Sequence, residues 1–164
     1  MVRVTFDAST LIEALSGQEP AQALLEKARA GEFELRIPEI VFARLNDETR
    51  ARFNERASFA QRIRPPSGAL GRASLGRFAL GGYPSPSIHG SETPGSASWR
   101  HTSDDAEALA AHESYNRRDV FVTSDRRLRR QAISRGTMTA TPAELVRILD
   151  QIALSDAHAR RRES

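Results

Sequence analysis

Arg118-Asp-Val-Phe-Val-Thr-Ser-Asp125 is the stretch on which the fold turns. Its apolar, β-branched centre, Val120 to Thr123, reads as a strand buried on both faces, as strands of parallel sheets are. Ser124 is a good helix N-cap, and Arg-rich sequence with helical character follows, from about Arg126 to Ser134. A carboxylate at the carboxyl end of such a strand, Asp125, sits where open α/β sheets place their ligands. The other end of the chain repeats the arrangement. Val2-Arg-Val-Thr-Phe6 reads as a short strand ended by Asp7, and Ser9 or Thr10 is placed to cap a helix carrying Leu11, Ile12 and Leu15. Two strands that each deliver an aspartate to one sheet edge imply a carboxylate cluster. A cluster of acids calls for a cation.

Between these ends the pattern alternates. A helix is predicted over Pro20 to Ala30, closed by Gly31, and a strand over Phe33 to Ile37, terminated by Pro38. Glu39 to about Ile63 is helical in pattern, with Ile40, Val41, Leu45, Phe53, Phe59 and Ile63 as core candidates and Asn46-Asp47 as a break point. Pro65-Pro66 ends it. Thr102-Ser103 signals an N-cap for a helix running to about Tyr115. Gly136 punctuates, Thr137 to Ala140 reads as a short strand, and Thr141-Pro-Ala-Glu144 forms a capping box for a last helix through about Leu154. Strands alternating with helices predict a three-layer α/β/α fold around a short parallel sheet, in one domain over 1–154. A basic tail, 155–164, is expected to fray.

Residues 65–101 differ in kind. Gly, Ser, Pro and Ala dominate and no period is visible. Phe78, Tyr83 and Trp99 are accompanied by Arg72, Arg77 and Arg100. Bases can stack on aromatics while arginines hold phosphates. The plainer reading is a flexible surface insert with a few anchoring aromatics.

At 164 residues the chain suits one core of ordinary domain size. It has no cysteine, which removes a disulfide framework and a thiolate zinc site. No apolar run approaches a membrane span and the first residues read as a strand rather than a signal peptide, so the cytoplasm is the expected compartment and no membrane partner is expected. Net charge is +3, and Lys27 is the only lysine among 24 basic residues. Arginine pairs two phosphate oxygens at once, although an Arg- and Ala-rich composition also follows from genomic base bias. His89, His101, His112 and His158 lack ligand spacing, no H-E-x-x-H occurs, and Gly81-Gly82 lacks the context of a phosphate-binding loop. His112 reads as a packed helix residue rather than a catalyst.

A third acidic position lies in Ser103-Asp-Asp-Ala-Glu-Ala-Leu-Ala-Ala-His112. Asp105 is expected in a first helical turn, four residues before Leu109 and so at the core edge. Together with Asp7 and Asp125 it gives the chain a resemblance to the PIN-domain family of metal-dependent ribonucleases, which includes VapC-type toxins. The matching pieces are Phe6-Asp-Ala-Ser-Thr-Leu-Ile12, Ile37-Pro-Glu-Ile-Val-Phe-Ala-Arg-Leu45, Asp105-Ala-Glu-Ala-Leu-Ala-Ala111, Val120-Phe-Val-Thr-Ser-Asp125 and the closing Gly136 with Thr141-Pro-Ala-Glu144. The resemblance covers about residues 1–63 and 102–152.

The resemblance implies a PIN-like fold, with Asp7, Asp105 and Asp125 as catalytic residues holding Mg²⁺ or Mn²⁺. Asp104 would stand in the outer shell. Ser124 would orient a water or a neighbouring carboxylate. The family's second acid, a Glu just before a Leu, falls on Arg44. Three readings of that departure are open: Glu48 supplies the missing acid, Glu39 reaches in, or Arg44 pairs with the aspartates and the site is crippled. Arg126, Arg127, Arg129 and Arg130 follow Asp125 directly. Such a run is ordinarily a solvated helix face, but beside a metal site Arg126, Arg127 and Arg130 would attract an RNA backbone.

The expected function is therefore cleavage of single-stranded RNA by a metal-dependent endoribonuclease, with a toxin of a toxin–antitoxin pair as the finer form. The alternative is a catalytically impaired PIN-like module that binds RNA or a protein. RNA is the expected partner, with a cognate antitoxin and a homodimer as open protein partners.

Overall fold

Apolar side chains on both faces of a strand need helices on both sides of the sheet, and the chain supplies them. Val4, Phe6, Leu35, Ile37, Phe121 and Val122 are at most 2% exposed. In the computed structural model, which describes residues 1–65, 97–116 and 118–162, these residues lie in β1 (Arg3–Phe6), β2 (Glu34–Pro38) and β4 (Val120–Val122). With β3 (Gln61–Ile63) and β5 (Thr139–Ala140) they form a fully parallel five-stranded sheet in the order β3-β2-β1-β4-β5. The helices are α1 (Ala8–Leu15), α2 (Ala21–Arg29), α3 (Glu39–Arg44), α4 (Asp47–Arg56), α5 (Ala97–Tyr115), α6 (Arg126–Ser134) and α7 (Pro142–Arg162).

Alternation along the strands divides the core in two. Val4, Phe6 and Val122 join Leu11, Leu15, Leu24, Leu25, Leu145 and Leu149 from α1, α2 and α7. Phe121 faces the other way and packs with Leu109 of α5 and Leu128 and Ala132 of α6. Each fully buried Leu or Phe contributes about 2 kcal/mol, so these two layers carry the fold. The result is the three-layer α/β/α, PIN-like architecture with a short parallel sheet. Among the described residues no helix is long and apolar enough to cross a membrane.

Several elements follow the sequence closely. Helix α6 has the predicted bounds, and Gly31 and Gly136, with φ of 81° and 75°, take the left-handed turn just after α2 and α6. The Thr141 capping box is present: Glu144 N–H donates to Thr141 Oγ1 at 3.2 Å, and Thr141 N–H donates to Glu144 Oε2 at 2.8 Å.

Others differ. The helical reading of 39–63 resolves into two helices and a strand. Leu45 turns extended, ψ 134°, Asn46 caps α4, and Gln61–Ile63 adds the edge strand β3. Phe59, expected in the core, is 45% exposed on the connection between α4 and β3. Helix α5 begins at Ala97 rather than near Ser103, and α7 continues to Arg162, through most of the expected frayed tail. Residues 97–101 of the expected insert are thus helical. Phe78, Tyr83, Arg72 and Arg77 lie outside the described residues, as do the side chains of Trp99 and Arg100.

Candidate metal and nucleic-acid site

Strands β1 and β4 are neighbours in the sheet, paired with Phe6 opposite Val122. The chain leaves β1 towards β2 and β3 on one side, then returns to β4 on the other. That reversal opens a crevice at the carboxyl ends of the two strands, the position where open α/β sheets bind ligands. Asp7 and Asp125 stand at its two lips.

Asp7 is 2% exposed. It is also the N-cap of α1, a role expected of Ser9 or Thr10, and its Oδ1 accepts from Thr10 N–H at 2.8 Å. Aspartate caps as well as serine does, and here it precedes the serine in the chain. The Ser9 hydroxyl instead donates to both Asp7 oxygens, at 3.1 and 3.0 Å. Thr123 donates its Oγ1 proton to Asp7 Oδ2 and accepts from Asp125 N–H at 3.0 Å. Thr123 therefore ties the two strand ends together. In the same way Asp125, not Ser124, caps α6, its Oδ1 accepting from Arg127 N–H and Leu128 N–H at 2.7 and 3.1 Å. Both aspartates thus have a structural task whatever else they do.

Asp105 approaches from α5. Because α5 starts at Ala97, Asp105 lies inside the helix and not in its first turn, so a favourable helix-dipole contact does not account for it. Leu109, one turn later, is fully buried and fixes which face of α5 meets the sheet. A cleft of about 600 Å³ is lined by Asp7, Ala8, Ser9, Ile12, Asp105, Ser124 and Asp125. Burial, joined by the charges of Asp7, Asp125 and Asp104 and opposed by a smaller pull from Arg127, pushes the Asp105 carboxyl up to about 7. Burial and the field of Asp7 also raise Glu13, on α1. Asp7, Asp105 and Asp125, 118 residues apart at the extremes by their numbers, act on one another.

The remaining expected residues divide. Ser124 lines the cleft and is exposed. Asp104 adds to the field on Asp105 but is held by Arg44, whose Nε and Nη2 lie 2.9 and 3.2 Å from its two oxygens. Arg44 therefore pairs with an aspartate, but with Asp104 at the rim and not with the three that line the cleft. Glu48 is not brought to the cleft. The break at Leu45–Asn46 puts it on α4 rather than one turn further along α3, where it is 73% exposed and paired with Arg52 at 2.6 Å. Glu39 faces Arg62 and Arg64, at 3.7 and 3.5 Å. Arg127 lies within the field of the acidic group, while Arg126 and Arg130 open onto a neighbouring recess. His112 is packed, 1% exposed, with Nδ1 2.8 Å from Thr5 Oγ1.

Thr123 and Glu13 were not singled out by the sequence as site residues, and Ser9 and Ile12 were read only as a helix cap and a helix side chain, not as lining of the cleft. The Asp-x-Ser-Thr spacing after β1 carries the signal for Ser9, since an N-cap aspartate reaches the amide three residues on and leaves a free hydroxyl beside it. Thr123 reads from sequence as one more β-branched strand residue.

An all-oxygen donor set with mutual repulsion suits a hard divalent cation, whose charge would relieve what burial and neighbours impose on Asp105. The spacing is a second matter. Among the described residues no three His, Asp or Glu side chains stand close enough together to hold one ion. The aspartates surround a cleft without forming a closed ligand cage.

No family model matches the chain, and no curated protein matches it. Solved structures do. A chain of the crystal structure of VapBC2 from Rickettsia felis bound to a DNA fragment from their promoter is 11% identical, with a TM-score of 0.51. The match covers 85% of this chain and 98% of that one. At such identity the likeness is one of fold, and it is consistent with the PIN-like α/β/α arrangement that the sequence pieces resemble.

Proposed function

We propose that the protein is a metal-dependent endoribonuclease acting on single-stranded RNA, with Asp7, Asp105 and Asp125 as the acids that would draw together on Mg²⁺ or Mn²⁺, since as they stand no three side chains among the described residues are close enough to hold one ion. The observation that carries this reading is their shared cleft at the β1–β4 switch point, where burial and then like charges raise Asp105 to about 7. Uncompensated buried acids are costly to a fold and are concentrated at sites of function. A divalent cation bound there supplies charge neutralisation on the phosphate and activation of the attacking water.

The chain's own residues have definite tasks in this reading. Ser9, Thr10 and Thr123 fix the orientation of Asp7 by hydrogen bonds. Thr123 also fixes the Asp125 backbone. Ser124, exposed at the cleft, orients a water or a phosphate oxygen. Arg127 offsets part of the acidic field on the side where an RNA strand would enter. A cognate antitoxin as partner is the finer form of the proposal, supported by fold likeness to a chain of the VapBC2 structure. Co-expression with the product of an adjacent small gene and co-elution on gel filtration tests it.

A second reading has its own observations. Asp7 accepts bonds on both oxygens, Asp125 is spent on capping α6, and Arg44 sits at the position of the family's second acid. These favour a PIN-like module that binds RNA or a protein without cleaving. End-labelled single-stranded RNA, incubated with the full chain in Mn²⁺, Mg²⁺ or EDTA, separates the two. The ribonuclease reading predicts cleavage with Mn²⁺ or Mg²⁺, none in EDTA, and none with Asp105→Asn. Cleavage that persists in EDTA, or that never occurs with either metal, contradicts it.

A further inference from the structure

Helix α6 starts at the lip of the cleft and carries arginines away from it. Arg126, Arg129, Arg130 and Ile133 fall at i, i+3, i+4 and i+7, one face of a helix, and line a shallow recess of about 520 Å³. Their surroundings are unequal. Arg129 is held by Glu144, its Nη2 2.8 and 3.1 Å from the two carboxylate oxygens, and Glu144 is itself held by the Thr141 capping box. Arg126 and Arg130 are exposed and, among the described residues, no carboxylate pairs with either. A cationic face commonly stays in place by pairing within its own helix, as Glu48 and Arg52 do on α4. Helix α6 has no acidic residue after its N-cap with which to do so. Ile133, 55% exposed, closes the far end of the recess with an apolar surface.

We infer that this recess is a second subsite, which binds the sugar–phosphate backbone of single-stranded nucleic acid flanking the segment in the cleft. Arg126 and Arg130 each take a phosphate, Arg129, its charge paired with Glu144, forms the fixed floor, and Ile133 packs against a sugar or base. The two free guanidinium groups are spaced by about 6 Å of helix rise, which lets them engage separate phosphates of one extended strand. Continuity decides for a nucleic acid over an acidic peptide, because the same helix whose N-cap is Asp125 leads from cleft to recess. The inference takes its substrate class from the ribonuclease reading, but it concerns binding and stands or falls without cleavage.

Fluorescence anisotropy of the full chain with a labelled single-stranded oligoribonucleotide of roughly 12 nucleotides, in EDTA, tests it. Arg126→Ala/Arg130→Ala should weaken binding about tenfold and flatten the plot of log affinity against log salt by about 1.4, the slope expected for two lost phosphate contacts on a single strand. Arg147→Ala/Arg118→Ala removes the same charge from outside the recess and should change both far less. Arg130→Glu should weaken binding further, and thermal melts show whether each variant is folded. Unchanged affinity and slope in folded Arg126→Ala/Arg130→Ala protein overturn the inference, as does failure of the wild-type chain to bind the oligonucleotide. Displacement of the RNA by polyglutamate at equal charge concentration, lost in the same double variant, overturns it in favour of an acidic-peptide site. Arginine-dependent binding without metal-dependent cleavage sinks the ribonuclease reading alone. Cleavage with unchanged KM in the double variant sinks the recess alone.

Discussion

Helix α5 presses two titratable side chains onto the sheet, Asp105 and His112, about 10 Å apart along its axis, and they meet opposite surroundings. Around His112 the charges are paired with one another. Arg36 rises from the middle of β2, 7% exposed, and donates to Asp119, Glu34 and Gln61, each at 3.0 Å, while its guanidinium lies over the Tyr115 ring at 5.2 Å. Asn116 adds a bond to Asp119 at 3.3 Å, and His112 meets the neutral hydroxyl of Thr5. Around Asp105 the charges accumulate instead: Asp7, Asp125 and Asp104 against Arg127. One region is a charge-paired network that locks α5 to the sheet, with only the neutral His112 Nε2 left without a partner. The other withholds compensation, and the same chain shows in the first region that it can supply it. That contrast is the physical reason for reading the cleft as a site and the His112 region as structure.

The comparison predicts opposite signs when one acid is removed from each region. Asp119→Ala should destabilise the fold by about 3 kcal/mol, since it takes from a buried guanidinium its buried carboxylate and leaves only Glu34 at the edge, and Arg36→Met/Asp119→Leu should recover much of the loss. Asp105→Asn should instead stabilise the metal-free protein, by on the order of 2 kcal/mol at pH 8, because it removes a carboxylate whose ionisation burial and its neighbours oppose. Urea denaturation of each variant reads both effects. If both variants lose stability alike, the two regions do the same job and the contrast fails.

Acid titration sharpens it. Burial lowers His112 to about 4 from 6.5, so between those values the unfolded chain takes up a proton that the folded chain refuses. Stability from this group is complete above pH 6.5 and falls as pH drops towards 4. Asp105 runs the other way. Its pKa rises from 3.8 to about 7, so the folded chain holds the extra proton in that window, and stability from this group falls as pH rises through it. The two slopes oppose each other between pH 4 and 6.5, and the wild-type stability should be nearly flat there. Asp105→Asn should reveal a decline towards acid, and His112→Gln a decline towards neutral pH. Matching curves for the two variants would refute the assignment of these groups.

The smallest effects belong to the rim. Arg44→Ala breaks a half-exposed ion pair with Asp104, and Glu48→Ala breaks an exposed one with Arg52, so each should cost under about 1 kcal/mol. Glu48→Ala should leave RNA cleavage unchanged, as it has no place at the cleft. A large loss of cleavage in that variant would show that α4 swings inward on binding.

What could be read from the sequence follows from how local each signal is. The Val120–Val122 strand, α6 and the Thr141 box depend on neighbours within a few residues, and they stand where expected. The acids Asp7, Asp105 and Asp125 were legible because two end apolar strands and one sits four residues before a core leucine. Strand β3 was not, since two of its three residues are exposed and leave no alternation to read. Glu48 was misplaced because a single extended residue, Leu45, redirects the chain, and an apolar period does not register such a turn. The start of α5 was hidden by the Gly- and Ser-rich composition before it. The bond between His112 and Thr5, and the tie from Thr123 to Asp7, span 107 and 116 residues and exist only once the sheet has formed.

The account rests on a cleft whose excess negative charge is there to receive a cation, and thermal melts of metal-free protein with added Mn²⁺ test that most directly. Saturating Mn²⁺ should raise the wild-type Tm by roughly 5 °C or more, the gain expected from a ligand well above its Kd, and should leave Asp105→Asn nearly unmoved. An equal shift in both proteins, or none in the wild type at millimolar Mn²⁺, would contradict the account.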